Sequence, residues 1–222
     1  MQSAYYLKAN WPAPQHIQAL TVTYPEGFSD IKKDLDLPAE PIWLKQTHSN
    51  LCVDVQSDSL READACISRN IIHPLAIKTA DCLPILICNA DGTEIAAIHA
   101  GWRGLLNGII ENTLLKLTTN PAHLMAWTGP AICKNCFEVG SEVRDAFIKK
   151  YPDTHTAFYA AKTPNQYFGD LVHIATLILN HKNLEHIYYS NACTFEEESK
   201  FYSYRRAKQT GRIISLIWFH SS

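Results

Sequence analysis

Three apolar, β-branched runs follow one another in close order at Leu75–Thr79, Pro84–Cys88 and Glu94–Ile98. Runs of that length and composition predict buried strands. Asp91-Gly92 between the last two predicts a tight hairpin, since such turns need positive φ, which Gly adopts freely. Shorter strands are predicted at Leu20–Tyr24, Pro41–Gln46 and Leu51–Val55, with turn-rich segments between them. Past residue 104 the period changes: Leu106, Ile109, Ile110, Leu114 and Leu117 recur at helical spacing and predict one amphipathic helix. Glu138–Tyr151 reads as a second helix. Leu171, Ile174, Ala175 and Ile178 mark a third, with Asp170 placed to cap its start. Leu124–Trp127, Ile187–Ser190 and Arg212–Phe219 complete the strands, while polar Thr154–Gln166 reads as a surface loop. Helices and strands mix without a strict βαβ rhythm. The expected class is therefore α+β, a single domain over 1–222 with mixed β-sheets in a layered arrangement.

Charge narrows the partners. A net charge of −2 gives no basic face of the kind that nucleic acid requires. No apolar stretch approaches the roughly 20 residues that span a bilayer. The start, MQSAYYLKANWPAPQ, lacks the apolar core of a secretory signal, so a cytoplasmic protein is expected. Seven cysteines is an odd number, which in such a chain points to reduced thiols.

Three strand ends carry metal-ligating side chains. His48 stands in KQTHSN, Cys82 in TADCLP and His99 in HAGWRG. Neutral imidazole and thiolate suit zinc, and three protein ligands with an open fourth position describe a catalytic site. Spacing alone leaves the alternative open, a hydrogen-bonded histidine at a strand end and a cysteine in the core. Cys133-Lys134-Asn135-Cys136 is a C-x-x-C, readable as a redox pair or half a zinc site, but it lacks both a second C-x-x-C and a thioredoxin-like βαβ context. Arg103, Arg205, Arg206 and Arg212 are the cations able to hold phosphate or carboxylate in bidentate fashion. Arg103 stands out, four residues from His99 and flanked by glycines that let backbone approach a ligand.

Together these segments resemble the YfiH family, also called the laccase-domain or multicopper polyphenol oxidase-like family. WLKQTHSN, ADACIS, TADCLPILICNADGTEIAAIHAGWRGL, WTGPAI, FEVGSEVRDAF, CTF and FYSYRRAKQTGRIISLIWF resemble its blocks in order. The resemblance implies one zinc per chain on His48, Cys82 and His99, and a layered fold also likened to the catalytic domain of a bacterial deamidating toxin. It implies purine nucleosides and phosphate as partners: phosphorolysis of adenosine, inosine and methylthioadenosine, with adenosine deamination beside it. It also implies that Cys133 and Cys136 are incidental, since relatives commonly read GPAIGP at that loop. One block departs. The family carries T-R-x-G-G-x-S near the N-terminus, whereas TVTYPEGFSDIKKDLDLP is shorter and lacks the arginine. A pocket that this segment helps to close would bind its substrate less well here.

Phosphorolysis needs a cation for phosphate and a means for the base to leave. Deamination needs an activated water and a proton shuttle. Gln46 and Arg103 are the expected substrate contacts, with Arg206 a further anion-binding candidate. Asp64 and Asp81 are candidate general acids, each with a structural role as the competing reading. Copper-dependent phenol oxidation is the alternative that the family's older name implies. Multinuclear copper sites use His-x-His pairs, however, and no two of the ten histidines stand within two residues of each other. A cysteine hydrolase with Cys82 as nucleophile and His99 as base is a third reading. A non-enzymatic accessory role in cell-wall assembly is a fourth.

Overall fold

Residues Leu83–Asn89 are buried without exception, so the sheet that contains them must be covered on both faces. In the computed structural model, which describes residues 6–24, 30–69 and 72–220, two further layers supply those covers. Part of the divergent TVTYPEGFSD stretch, residues 25–29, lies outside the described residues.

The strands are β1 (Tyr6–Lys8), β2 (Ile17–Val22), β3 (Ile42–Trp43), β4 (Cys52–Asp54), β5 (Ala65–Ser68), β6 (Leu75–Thr79) and β7 (Leu83–Asn89). After them come β8 (Ile95–Ala100), β9 (Leu124–Thr128), β10 (Glu138–Gly140), β11 (Phe158–Ala160), β12 (Gln166–Gly169), β13 (His186–Tyr189) and β14 (Ile213–Phe219). The helices are α1 (Ile31–Asp34), α2 (Trp102–Asn107), α3 (Ile109–Lys116), α4 (Ser141–Lys150) and α5 (Leu171–His181). A mixed sheet runs β1-β2-β14-β6-β3, a second mixed sheet β13-β9-β7-β8-β5-β4, and a small antiparallel one β10-β12-β11. The fold is α+β, as expected.

Period-two alternation along β7 and β8 divides the core. Ile85, Ile87, Ala96 and Ile98 meet Leu105, Ile109, Ile110, Ile174 and Ile178 of the helical layer. Leu86, Cys88, Ile95 and Ala97 meet Leu75, Ile77 and Ile217 of the first sheet. Leu20, Leu216 and Trp218 on that sheet's outer face pack with Leu37 and with Ile31 of α1. No helix among the described residues is long and apolar enough to cross a membrane.

Three expectations are corrected. The helix read through Leu106–Leu117 is two helices, because Gly108 takes φ 95° and closes α2 before α3 begins. Only Gly adopts that left-handed conformation without strain. The helix read from Glu138 starts at Ser141, since Glu138–Gly140 pair with Gln166–Phe168 as a strand. The loop read over Thr154–Gln166 holds a 3-10 turn and β11 and reaches β12, a small half-exposed sheet whose polar residues hide its pairing.

The β7–β8 hairpin is tied to the segment that follows α3 by one carboxylate. Glu94 accepts bonds from the backbone and hydroxyl of Thr118 and Thr119 and from Arg69 Nε. Burial pushes its carboxyl up, but these threonine donors outweigh burial and hold it at about 2, against 4.5 ordinarily. A carboxyl depressed in the folded state contributes stability fully above its unfolded value and loses it as pH falls toward its folded value. Glu94→Gln should therefore cost about 1.5–3 kcal/mol at pH 7, the usual worth of bonds to a charged group. Urea unfolding from pH 7 down to pH 2 should show the gap between wild type and variant narrowing below about pH 4.5.

Candidate metal centre and the cavity around it

Asp64 immediately precedes β5, and its buried carboxylate gathers the loop after β3. Backbone N–H groups of Thr47, His48 and Ser49 donate to it at 3.1, 3.0 and 2.6 Å, and Ser49 Oγ donates at 2.7 Å. That grip holds His48 at φ 60°, a conformation that costs energy for a residue with a Cβ. The same carboxylate accepts from His99 Nδ1 at 2.7 Å. Burial pushes Asp64 up, but the bonds from His99, Ser49 and Thr47 prevail and hold it well below the usual carboxylate range. Nδ1 of His99 must then be the donor, which turns Nε2 away from Asp64.

Cys82 stands where the chain crosses from β6 in one sheet to β7 in the other. The crossing turns on Asp81, at φ 85°. Its carboxylate takes Thr194 Oγ1 at 2.7 Å, Ser203 Oγ at 3.0 Å and Arg205 N at 2.6 Å. One ligand atom each from His48, Cys82 and His99 therefore lies within 4.8 Å of the other two. Burial pushes the Cys82 thiol up, but hydrogen bonds and charge from His48 and His99 outweigh it and bring it to about 6. Burial pushes His99 down, while Asp64 and Cys82 raise it to about 9. A thiolate is the form that binds metal.

The donor set fits a metal ion. A Cβ on Gly101 would sit 3.0 Å from His48 Nδ1 and 3.1 Å from Cys82 Sγ, so this glycine keeps space beside the ligands. A histidine held by a carboxylate through its far nitrogen is the usual support of a ligating imidazole.

The three residues lie in a cavity of about 690 Å³. Leu44, Trp102, Ile132, Phe137, Leu171 and Tyr204 give it apolar wall. Lys78, Arg103, Arg205, Lys208 and Arg212 give it five cations. None of the five pairs with a carboxylate among the described residues, and the lining carboxylate, Asp81, is occupied by its three donors. Lys78 instead lies over Trp43 at 4.4 Å, Arg103 over Trp102 at 4.5 Å, Arg205 over Phe137 at 5.5 Å and Lys208 over Tyr204 at 4.7 Å.

Gln46 lines the cavity, yet both ends of its amide bond the backbone of Lys78, which makes it a tie between the His48 loop and β6. Arg103 lines it with its guanidinium unpaired. Arg206 does not line it: its guanidinium donates to the carbonyls of Thr194, Phe195 and Phe201. Arg205 lines it in its place. Asp64 and Asp81 each accept several hydrogen bonds from donors in the fold, Ser49 and His99 for the first and Thr194 and Arg205 for the second. Lys78 was missed by sequence reasoning, although an exposed lysine inside an otherwise buried strand was its signal. Lys208 and Tyr204 carried none.

A family model described as multi-copper polyphenol oxidoreductase laccase matches residues 25–220. A purine nucleoside phosphorylase of Pseudomonas aeruginosa is 36% identical, over 96% of this chain and 98% of its own. The purine nucleoside phosphorylase YfiH of Escherichia coli is 41% identical, over 82% of this chain and 75% of its own. The crystal structure of a Neisseria meningitidis protein superposes with a TM-score of 0.90 at 34% identity, covering 98% of this chain and 100% of that one.

Asp64→Asn keeps the shape of the carboxylate but removes its charge. It should weaken metal binding about 10–100-fold, as loss of a ligand's support does. Competition with a chromophoric chelator measures this, with circular dichroism as the check on folding.

Proposed function

The chain belongs to the family described as multi-copper polyphenol oxidoreductase laccase, and from that premise we propose that it is a zinc-dependent purine nucleoside phosphorylase. Its substrates on this reading are adenosine, inosine and methylthioadenosine, with adenosine deamination as a second activity. Five unpaired cations around an apolar-walled cavity carry the reading, joined to the activity named for the relatives. A volume of about 690 Å³ is in the range of small-molecule sites. The aromatic and aliphatic wall suits a purine, and the cations suit phosphate.

In phosphorolysis an oxygen of phosphate bonds to the anomeric carbon of the ribose as the carbon–nitrogen bond breaks. The purine leaves with the bonding electron pair and takes up a proton. Arg103 and the neighbouring cations hold the anionic nucleophile, whose charge is otherwise costly to bring into an apolar cavity. His48, Cys82 and His99 would hold the ion. When bound, zinc supplies Lewis acidity toward the purine or a water molecule. Asp64 acts through the histidines as a positioning residue.

Arg103→Ala should lower adenosine phosphorolysis roughly ten- to a hundred-fold, the worth of one charge-assisted contact. Conversion of adenosine to inosine should fall less, because it uses no phosphate. Adenine, hypoxanthine and inosine are measured together, with zinc and copper content alongside. Equal loss of both reactions at full metal content would remove Arg103 from phosphate binding, and copper in place of zinc would favour the oxidase reading.

A further inference from the structure

The turn Cys133-Lys134-Asn135-Cys136 does not stand alone in the fold. Ala131 pairs with Cys193 in an isolated parallel bridge, and Thr194 N donates to Ala131 O at 3.0 Å. The segment Cys193-Thr194-Phe195-Glu196 is thereby laid beside the turn, a C-x-x-E against a C-x-x-C. The three sulfurs and one oxygen of Glu196 all lie within 4.8 Å of one another. Cys133 Sγ and Cys136 Sγ are 3.6 Å apart, and Cys136 Sγ is 3.6 Å from Glu196 Oε1. With Zn–S near 2.3 Å and Zn–O near 2.1 Å, a tetrahedral site has edges of about 3.8 Å between sulfurs and about 3.6 Å from sulfur to oxygen. These two edges are already close to those of a ligand set, and the remaining ones lie within 4.8 Å. The N–H groups of Cys133 and Glu196 both donate to Cys193 Sγ, at 3.3 and 3.5 Å, so this sulfur is oriented by the backbone of both segments.

We propose that Cys133, Cys136, Cys193 and Glu196 form a second metal site, holding one thiophilic divalent cation of the zinc class. Four protein ligands leave no open position, so the site is structural. It does not rest on the proposed activity. The expectation that the C-x-x-C is incidental is replaced, because its partners stand on a distant segment and one of them is a carboxylate. The clip has a clear mechanical consequence. Ile132 and Phe137 flank the first turn, Tyr204 and Arg205 follow the second, and all four line the cavity. Arg205 also donates to Glu138 O at 2.9 Å, across the same seam. Joining the two segments holds one cavity wall.

Full-length protein expressed with zinc should carry two zinc ions per chain by native mass spectrometry. Cys82→Ala should carry one, and adding Cys133→Ser with Cys136→Ser should leave none. Cobalt bound to the Cys82→Ala protein should show a strong thiolate-to-cobalt charge-transfer band that the serine changes abolish. One zinc in wild type and still one in Cys82→Ala would sink the His48–Cys82–His99 site while supporting this one. No zinc in a folded Cys82→Ala protein, or zinc kept after the serine changes, overturns the proposal. If the serine variant does not fold, Glu196→Ala at the exposed ligand decides. Zinc affinity should fall at least tenfold, and an unchanged affinity overturns the four-ligand site. A Cys133–Cys136 disulfide in protein purified without oxidant overturns it as well.

Discussion

One carboxylate bears the greatest share of the site's geometry. Asp64 collects three successive backbone N–H groups, a serine hydroxyl and an imidazole N–H. A buried carboxylate with that many donors stays ionised, and leaving any of them unmade would expose an uncompensated charge. The charge therefore fixes two things together: the left-handed turn at His48 and the ring orientation of His99. Cys82 reaches the same place independently, through the sheet-to-sheet crossing at Asp81. Two aspartates thus fix where His48, Cys82 and His99 meet.

Much of this was legible in the chain. Buried strands announce themselves by apolar runs, and β6, β7 and β8 lie where such runs predict. The Asp91-Gly92 hairpin follows from turn chemistry, with Gly92 at φ 65°. Other parts were hidden for physical reasons. Periodicity reports burial, and it is blind to a single glycine that interrupts a helix without changing the apolar face, as Gly108 does. The small sheet of β10, β11 and β12 buries little and therefore carries little pattern.

The polar roles were harder to read, because a charged residue's neighbours are set by the fold. Arg205 and Arg206 are adjacent and chemically alike, yet one lines the cavity and the other braces three carbonyls. Nothing in the residues flanking Asp64 and Asp81 reveals the donors that surround them in the fold. His48, Cys82 and His99 were nameable from ligand type and strand ends. Their convergence depends on pairings such as Asp64 with His99 that no local window contains.

The cavity's charge poses the last question. Five cations in one space repel one another, and a protein of net charge −2 has carboxylates enough to neutralise them. It uses aromatic rings instead. Four of the five lie over the face of Trp43, Trp102, Phe137 or Tyr204. A ring face attracts a cation by about 0.5–2 kcal/mol and carries no net charge, so it holds the side chain without cancelling its field. A carboxylate in the same position would hold it more tightly and extinguish the potential that an incoming anion experiences. Three of those rings, Trp102, Phe137 and Tyr204, also supply apolar wall to the cavity. Trp102 and Arg103, adjacent in the chain, thus combine wall and charge in one lining segment, next to Gly101, where a Cβ would crowd both His48 and Cys82.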